Sequence, residues 1–298
     1  MNILIIGANG LIGRSLSKIN EKHRWYGTCY KREEPDLIKV DITSKDDLNK
    51  IFEIANPDYV INCANLAGGV NFCERNPELA KKFHYEANTA IGELCEKYSS
   101  GFSFISTDYV FDGNNPPYKE EDKPNPLNVY GKLKLESEKW ITNNVSRHLI
   151  VRTTNVYGWD PETVTPNYMM SLYRSIRDQK QFNAASFLWG NPTYVNDLAS
   201  AIIELCEKDM RGIFHVVGSG FINRYDWALK ACEIAGWDKS LIKEIKDIPE
   251  NMVPRPLKSN LSTDKLRRFC KTELSDVDSG LIFFVESMKK DITTLVHR

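Results

Sequence analysis

Asn2-Ile3-Leu4-Ile5-Ile6 runs straight into Gly7-Ala8-Asn9-Gly10-Leu11-Ile12-Gly13 at the N-terminus of this chain. The first five residues are a short β-prone run without polar alternation, the pattern of a parallel strand covered on both faces. Glycines follow at once, and behind them a helical pattern begins. Strand, glycine loop and helix in this order let the backbone turn tightly and approach a pyrophosphate at the helix N-terminus. The spacing is G-x-x-G-x-x-G rather than G-x-G-x-x-G, so the loop alone is also compatible with a plain strand-to-helix turn. Residues further along decide between the two.

Runs of the same kind recur at 25–30, 58–63, 102–106, 149–152 and 213–217, most of them separated by helix-length stretches. Between two of them Leu79, Phe83, Ala87, Ile91 and Leu94 recur at three- and four-residue intervals and mark the apolar face of a helix on a sheet. This alternation predicts an α/β, doubly wound parallel sheet of the Rossmann type, with its ligand crevice outside the carboxyl ends of the strands. After Tyr157-Gly158 the alternation fades, and 213–217 returns to the sheet. The expected organisation is therefore a nucleotide-binding domain over 1–157, rejoined by 191–217, and a smaller, interleaved substrate lobe from 158–190 and 218–298.

The bulk numbers restrict the partners. At 298 residues, with 42% hydrophobic and 27% charged residues, the chain can bury a large core, and a net charge of -1 leaves no basic field for nucleic acid or an anionic membrane surface. Seven cysteines without a C-x-x-C pair suit neither a disulfide framework nor a zinc site, and His23, His84, His148, His215 and His297 have no metal-ligand spacing. No run approaches the length of a membrane span, and the N-terminus opens directly into a strand, so a cytoplasmic enzyme with a small-molecule substrate is expected.

The chemistry is carried by Thr107, Tyr130 and Lys134. Residues four apart share a helix face, so Tyr130 and Lys134 point at one pocket. A phenol near pKa 10 is a weak acid at neutral pH, and a nearby ammonium is expected to lower that value. Thr107, at the carboxyl end of a strand, can donate to a substrate carbonyl oxygen where charge develops. A bare Y-x-x-x-K is also what a surface tyrosine beside a solvated lysine looks like; its position behind a glycine loop favours hydride transfer.

For the cofactor, the second strand ends in Tyr30-Lys31-Arg32, where NAD-selective enzymes typically carry an Asp or Glu for the ribose 2′-hydroxyl. Lys31 and Arg32 favour a 2′-phosphate and hence NADP(H), with NAD(H) left open because Glu33 and Glu34 follow and can neutralise them. Asp41-Ile42 and Cys63-Ala64-Asn65 close candidate strands and are placed at the adenine and ribose side of the crevice.

The stretch from Ile105 to Gly113, with Pro116-Pro117-Tyr118, Glu120-Glu121-Asp122, Pro126-Leu127-Asn128, Tyr130-Gly131-Lys132 and Lys134, resembles the dTDP-4-dehydrorhamnose reductase branch of the extended short-chain dehydrogenases/reductases. That branch also contains the regulatory β subunit of methionine adenosyltransferase. The likeness runs from Met1 to about Phe269, through Arg255-Pro256 and Ser259 to Leu266. It implies NADPH-dependent reduction of a 4-keto group on a nucleotide-linked 6-deoxysugar, with Thr107, Tyr130 and Lys134 at the catalytic positions, and a homodimer by analogy. It also suggests Val70, Asn71, Asp108, Tyr109, Asn155 and Arg255 on the substrate side, with Arg255 suited to a diphosphate. A non-catalytic regulatory subunit and a sugar-nucleotide epimerase are the rival readings. Two departures stand out: His84 where many relatives carry an active-site asparagine, and Asn155 where the bacterial rhamnose enzymes usually have tryptophan. Tyr109 replaces the glutamate that dehydratases place after the Thr-Asp pair, which removes their base.

Overall fold

The computed structural model describes residues 1–19, 22–163 and 165–296. Seven parallel strands form the main sheet: β1 (Asn2–Ile6), β2 (Arg24–Cys29), β3 (Leu37–Lys39), β4 (Tyr59–Asn62), β5 (Gly101–Thr107), β6 (His148–Thr153) and β7 (Gly212–His215), in the order β7-β6-β5-β4-β1-β2-β3. The chain winds outward from β1 to β3, then returns to the other side of β1 as β4. That reversal opens the crevice in which α/β sheets bind ligands.

The absence of alternation in β1 has a direct cause. Ile3 and Ile5 pack into one apolar layer with Leu16, Leu198, Ile202 and Leu205, while Leu4 and Ile6 pack into the opposite layer with Leu48, Phe52, Ile91, Phe104 and Ile141. Successive side chains point to opposite faces, so a strand covered twice must be apolar throughout. Burying each such side chain is worth about 1.5–3 kcal/mol. A further core gathers Tyr157, Met169, Met170, Trp227, Leu281 and Phe284, carried largely by the helices Tyr168–Arg177, Arg224–Ala235 and Val277–Val296.

Several boundaries differ from expectation. β2 covers 24–29 rather than 25–30, leaving Tyr30 exposed, and the three-residue edge strand β3 was too short to read. The helix face expected from Leu79 to Leu94 is interrupted: Pro77–Lys81 passes into a π-helical turn, Lys82–Glu86, before Ala87–Lys97. Ala80 and His84 face inward and Leu79 is exposed. The cause lies at the His84 carbonyl, which accepts the Ser137 hydroxyl at 2.5 Å and the Asn88 amide at 2.7 Å, while the Ala87 amide reaches back to the Lys82 carbonyl. Side chains have taken an acceptor on which the α-helical ladder depends. Among the described residues, no helix is long and apolar enough to cross a membrane, and no cluster of His, Cys, Asp or Glu suits a metal ion.

Candidate active site

The glycine loop is held by its neighbours. Gly7 sits at φ 80°, and its amide donates to Thr28 Oγ1 at 3.1 Å, while the Ala8 amide donates to the Thr28 carbonyl at 2.8 Å. A Cβ on Gly13 would lie 2.4 Å from the Gly7 oxygen, and one on Gly7 would lie 2.9 Å from the Ala64 nitrogen. Only glycine admits this close fold of loop on helix. Gly10 has nothing nearer than 3.4 Å to such an atom, so its flank is open, and Leu11 starts the helix Leu11–Ile19. These features fit a dinucleotide pyrophosphate.

Beside the loop lies a cavity of about 340 Å³ at the carboxyl ends of β4, β5 and β6. Its wall includes Ile12, Cys63, Ala64, Asn65, Val70, Thr107, Asp108, Tyr109, Tyr130, Lys134 and Asn155, all expected from sequence. Thr107 is the last residue of β5. Tyr130 and Lys134 lie in the helix Val129–Asn144, which Asn128 caps by accepting the Gly131 amide at 2.9 Å. The Lys134 ammonium donates to the Ile105 carbonyl at 2.9 Å and lies 4.6 Å above the Phe104 ring.

The electrostatics correct one expectation. Lys134 is 5.9 Å from the Tyr130 ring centroid, and the phenol is pushed up, not down, chiefly by burial and then by the neighbouring Asp108 carboxylate; a hydrogen bond with Thr107 works the other way. The ammonium gives a hydrogen bond to the Ile105 carbonyl and stands behind the phenol ring. Lys134 itself is brought down to about 8 by burial, against which the Glu138 charge pushes back.

Tyr130 is clasped edge-on by two rings, His84 at 5.1 Å and Tyr109 at 6.0 Å between centroids. His84 is 1% exposed, its Nε2 has no hydrogen-bond partner, and burial with the nearby Lys134 charge brings it down to about 2. It is therefore a neutral imidazole facing the phenol, with a free ring nitrogen.

On the substrate side, Asp108 is buried and accepts the Ser259 hydroxyl and, at 3.1 Å, the Thr107 hydroxyl. Burial raises its carboxyl, and hydrogen bonds from Ser259, Thr154 and Thr107 oppose that. Arg255 donates to Asn71 Oδ1 at 2.8 Å and also bonds Tyr109, so it stands at the edge of the site rather than on the cavity wall. Asn71 lies in the helix Gly69–Arg75. Asn155 adopts φ 46°, a conformation its short polar side chain tolerates, and its carbonyl accepts the Thr193 amide at 3.2 Å. Asn191 spans Gly220, Asn260 and Leu261 and does not line the cavity. Sequence reasoning missed Arg224, which lines the cavity with its guanidinium 5.5 Å above the Tyr168 ring. Its only signal was a cation directly after the helix-capping Asn223.

At the other end, Asn9 donates to the Arg32 carbonyl at 3.1 Å, bringing the loop against the end of β2. Lys31 is exposed, whereas Arg32 pairs with Glu34 at 3.6 Å and with Glu162 at 3.3 Å. Asp41 is occupied locally, accepting the Thr43 amide and hydroxyl at 2.9 and 2.7 Å, and Ile42 is buried in the core. Neither reaches the cavity wall.

Comparison with known proteins gives a consistent picture. The family model described as RmlD substrate binding domain matches residues 1–289. Methionine adenosyltransferase 2 subunit beta of Bos taurus is 29% identical over 272 residues, 89% of this chain and 81% of that protein. A hypothetical dTDP-4-dehydrorhamnose reductase from Sulfolobus tokodaii superposes with a TM-score of 0.83 at 32% identity, covering 93% of this chain and 98% of its own. The dTDP-4-dehydrorhamnose reductase of Bacillus anthracis, crystallised with NADP, gives 0.85 at 25% identity over 96% and 98% of the two chains.

Proposed function

Because the chain belongs to the RmlD substrate binding domain family, within the extended short-chain dehydrogenases/reductases, we propose that it is an NADPH-dependent reductase of a nucleotide-linked 4-keto-6-deoxysugar. The observation that carries this reading is that Thr107, Tyr130 and Lys134 share one cavity wall with Ile12 of the glycine loop and with Cys63, Ala64 and Asn65 after β4. A phenol, an ammonium and a hydroxyl thus surround space beside a dinucleotide cradle.

Bound reduced nicotinamide supplies the hydride for the ketone carbon. Tyr130 gives its phenolic proton to the carbonyl oxygen as charge develops there, and Thr107 turns its hydroxyl from Asp108 to donate to the same oxygen. Lys134, anchored by the Ile105 carbonyl, holds positive charge behind Tyr130 and favours its transient phenolate. Gly7, Gly10 and Gly13 leave room for the pyrophosphate, and Arg32 with Lys31 suits a 2′-phosphate better than a 2′-hydroxyl. Segments 158–190 and 218–298 supply the substrate side through Arg224 and Arg255, whose guanidiniums suit a diphosphate; 1–157 and 191–217 supply the cofactor side.

The length of the likeness to methionine adenosyltransferase 2 subunit beta favours a second reading, a regulatory subunit that keeps the nucleotide site. An epimerase would use the same tyrosine and lysine. NADPH oxidation with dTDP-4-dehydrorhamnose and related 4-keto sugars separates them. The parent turns over and Tyr130→Phe loses about 10²- to 10⁴-fold while still binding cofactor. A parent that oxidises no NADPH with any such sugar, yet copurifies with an adenosyltransferase, makes the regulatory reading the right one; interconversion of the sugar without net NADPH oxidation points to the epimerase.

A further inference from the structure

Around the glycine loop the charges form a closed set. Arg14, in the first helix, bonds Glu34 at 2.5 Å, lies 3.5 Å from Asp160, and donates to the Asn9 carbonyl at 3.2 Å. Arg32 lies 3.6 Å from the same oxygen of Glu34. One carboxylate oxygen of Glu162 then bridges both guanidiniums, at 3.3 Å from each, and Arg32 also donates to the Glu162 carbonyl. Glu162 follows β6 and lies 130 residues beyond Arg32. It belongs to the stretch that leaves the sheet after Tyr157, not to the end of β2.

The two glutamates are not equivalent. Glu34 is 19% exposed and pinned by Arg14, whereas the Glu162 side chain is 60% exposed and can swing into water. Exposed ion pairs of this kind are weak and exchangeable, and a phosphate offers a guanidinium the same forked acceptor with more charge. We infer that Glu162 is a tethered competitor for the cofactor's 2′ substituent: its carboxylate occupies Arg32 and lowers the preference for 2′-phosphate over 2′-hydroxyl. Selectivity between NADPH and NADH is then set partly from the loop after β6. The inference rests on the reading of Lys31 and Arg32 as the 2′-phosphate end of a dinucleotide site.

The test is equilibrium binding of 2′,5′-ADP and of 5′-ADP, at low ionic strength where exposed pairs are least screened, to the parent, Glu162→Gln, Arg32→Ala and the double variant. Glu162→Gln tightens 2′,5′-ADP by about threefold to fivefold, the scale of one exposed pair, and leaves 5′-ADP unchanged. In the Arg32→Ala background the same substitution has no effect, because the contested cation is gone. NADPH and NADH titrations move in the same sense. An unchanged ratio of the two affinities in Glu162→Gln, or an equal gain with Arg32 absent, overturns this inference alone. A parent that binds neither nucleotide overturns the dinucleotide reading and this inference together.

Discussion

At Lys134 burial and charge oppose one another. The side chain is 4% exposed and brought down to about 8, so its ammonium is complete below that pH and lost as pH rises through it. If Tyr130 needs that charge, turnover falls on the alkaline side of about pH 8. Lys134→Arg, always protonated, removes that limb from the pH profile of kcat whatever its effect on the plateau. The buried histidines give a stability effect of opposite direction. His84 and His215 are brought down to about 2 and about 3 from an ordinary 6.5, each mainly by burial. The unfolded chain therefore binds protons that the folded one refuses as pH falls below 6.5, and stability drops by about 1.4 kcal/mol per pH unit for each histidine. Denaturant unfolding between pH 6.5 and 4 shows stability falling with pH, and His84→Gln makes that fall shallower. Sequence placed both His84 and Lys134 at the site. It could not place the ammonium on the Ile105 carbonyl, because that bond joins a helix to a strand 29 residues away.

Among elements, β5, β6 and the helix Val129–Asn144 are locked by a buried ion pair. Arg152 and Glu138 are each 2% exposed; Arg152 reaches both carboxylate oxygens, at 3.0 Å and 2.7 Å, and Ser106 donates to the same carboxylate. Arg152→Met alone leaves an uncompensated buried carboxylate and costs about 3–5 kcal/mol in denaturant unfolding. Pairing it with Glu138→Leu recovers much of that loss, because both charges are then gone. The turn from β1 to the first helix is equally intolerant. Gly13→Ala puts a methyl 2.4 Å from the Gly7 oxygen, so it costs about 1–3 kcal/mol and weakens NADPH and NADH binding alike. The first element pair was readable from thirteen residues because strand, loop and helix are adjacent in sequence. The π turn at Lys82–Glu86 was not readable, since its cause includes Ser137, a side chain of another helix, on the His84 carbonyl.

On the scale of the whole chain, late residues close the site. Ser259 holds Asp108, Asn191 bridges Gly220 and Asn260, and Arg255 reaches Asn71 and Tyr109. Arg255→Ala removes a charge-assisted contact from the rim without touching Tyr130. It raises KM for the nucleotide sugar by about tenfold or more and leaves kcat within about threefold, which steady-state kinetics checks. Arg255 was legible as a substrate candidate because it sits in a recognisable late motif. Arg224 was not, because only the packing of Tyr168 under its guanidinium brings it to the cavity wall. Likewise Lys31 and Arg32 announced a cationic end of β2, but their sequence neighbours could not reveal that Glu162 shares Arg32. Apolar runs, glycine spacing and a Tyr-Lys pair four residues apart were thus enough to establish the doubly wound sheet and to single out side chains that line one crevice, since these depend on local backbone preference and side-chain period. Which partner each buried or shared charge takes was settled only in the folded chain, because Coulomb and hydrogen-bond energies depend on distances and burial between segments far apart in sequence.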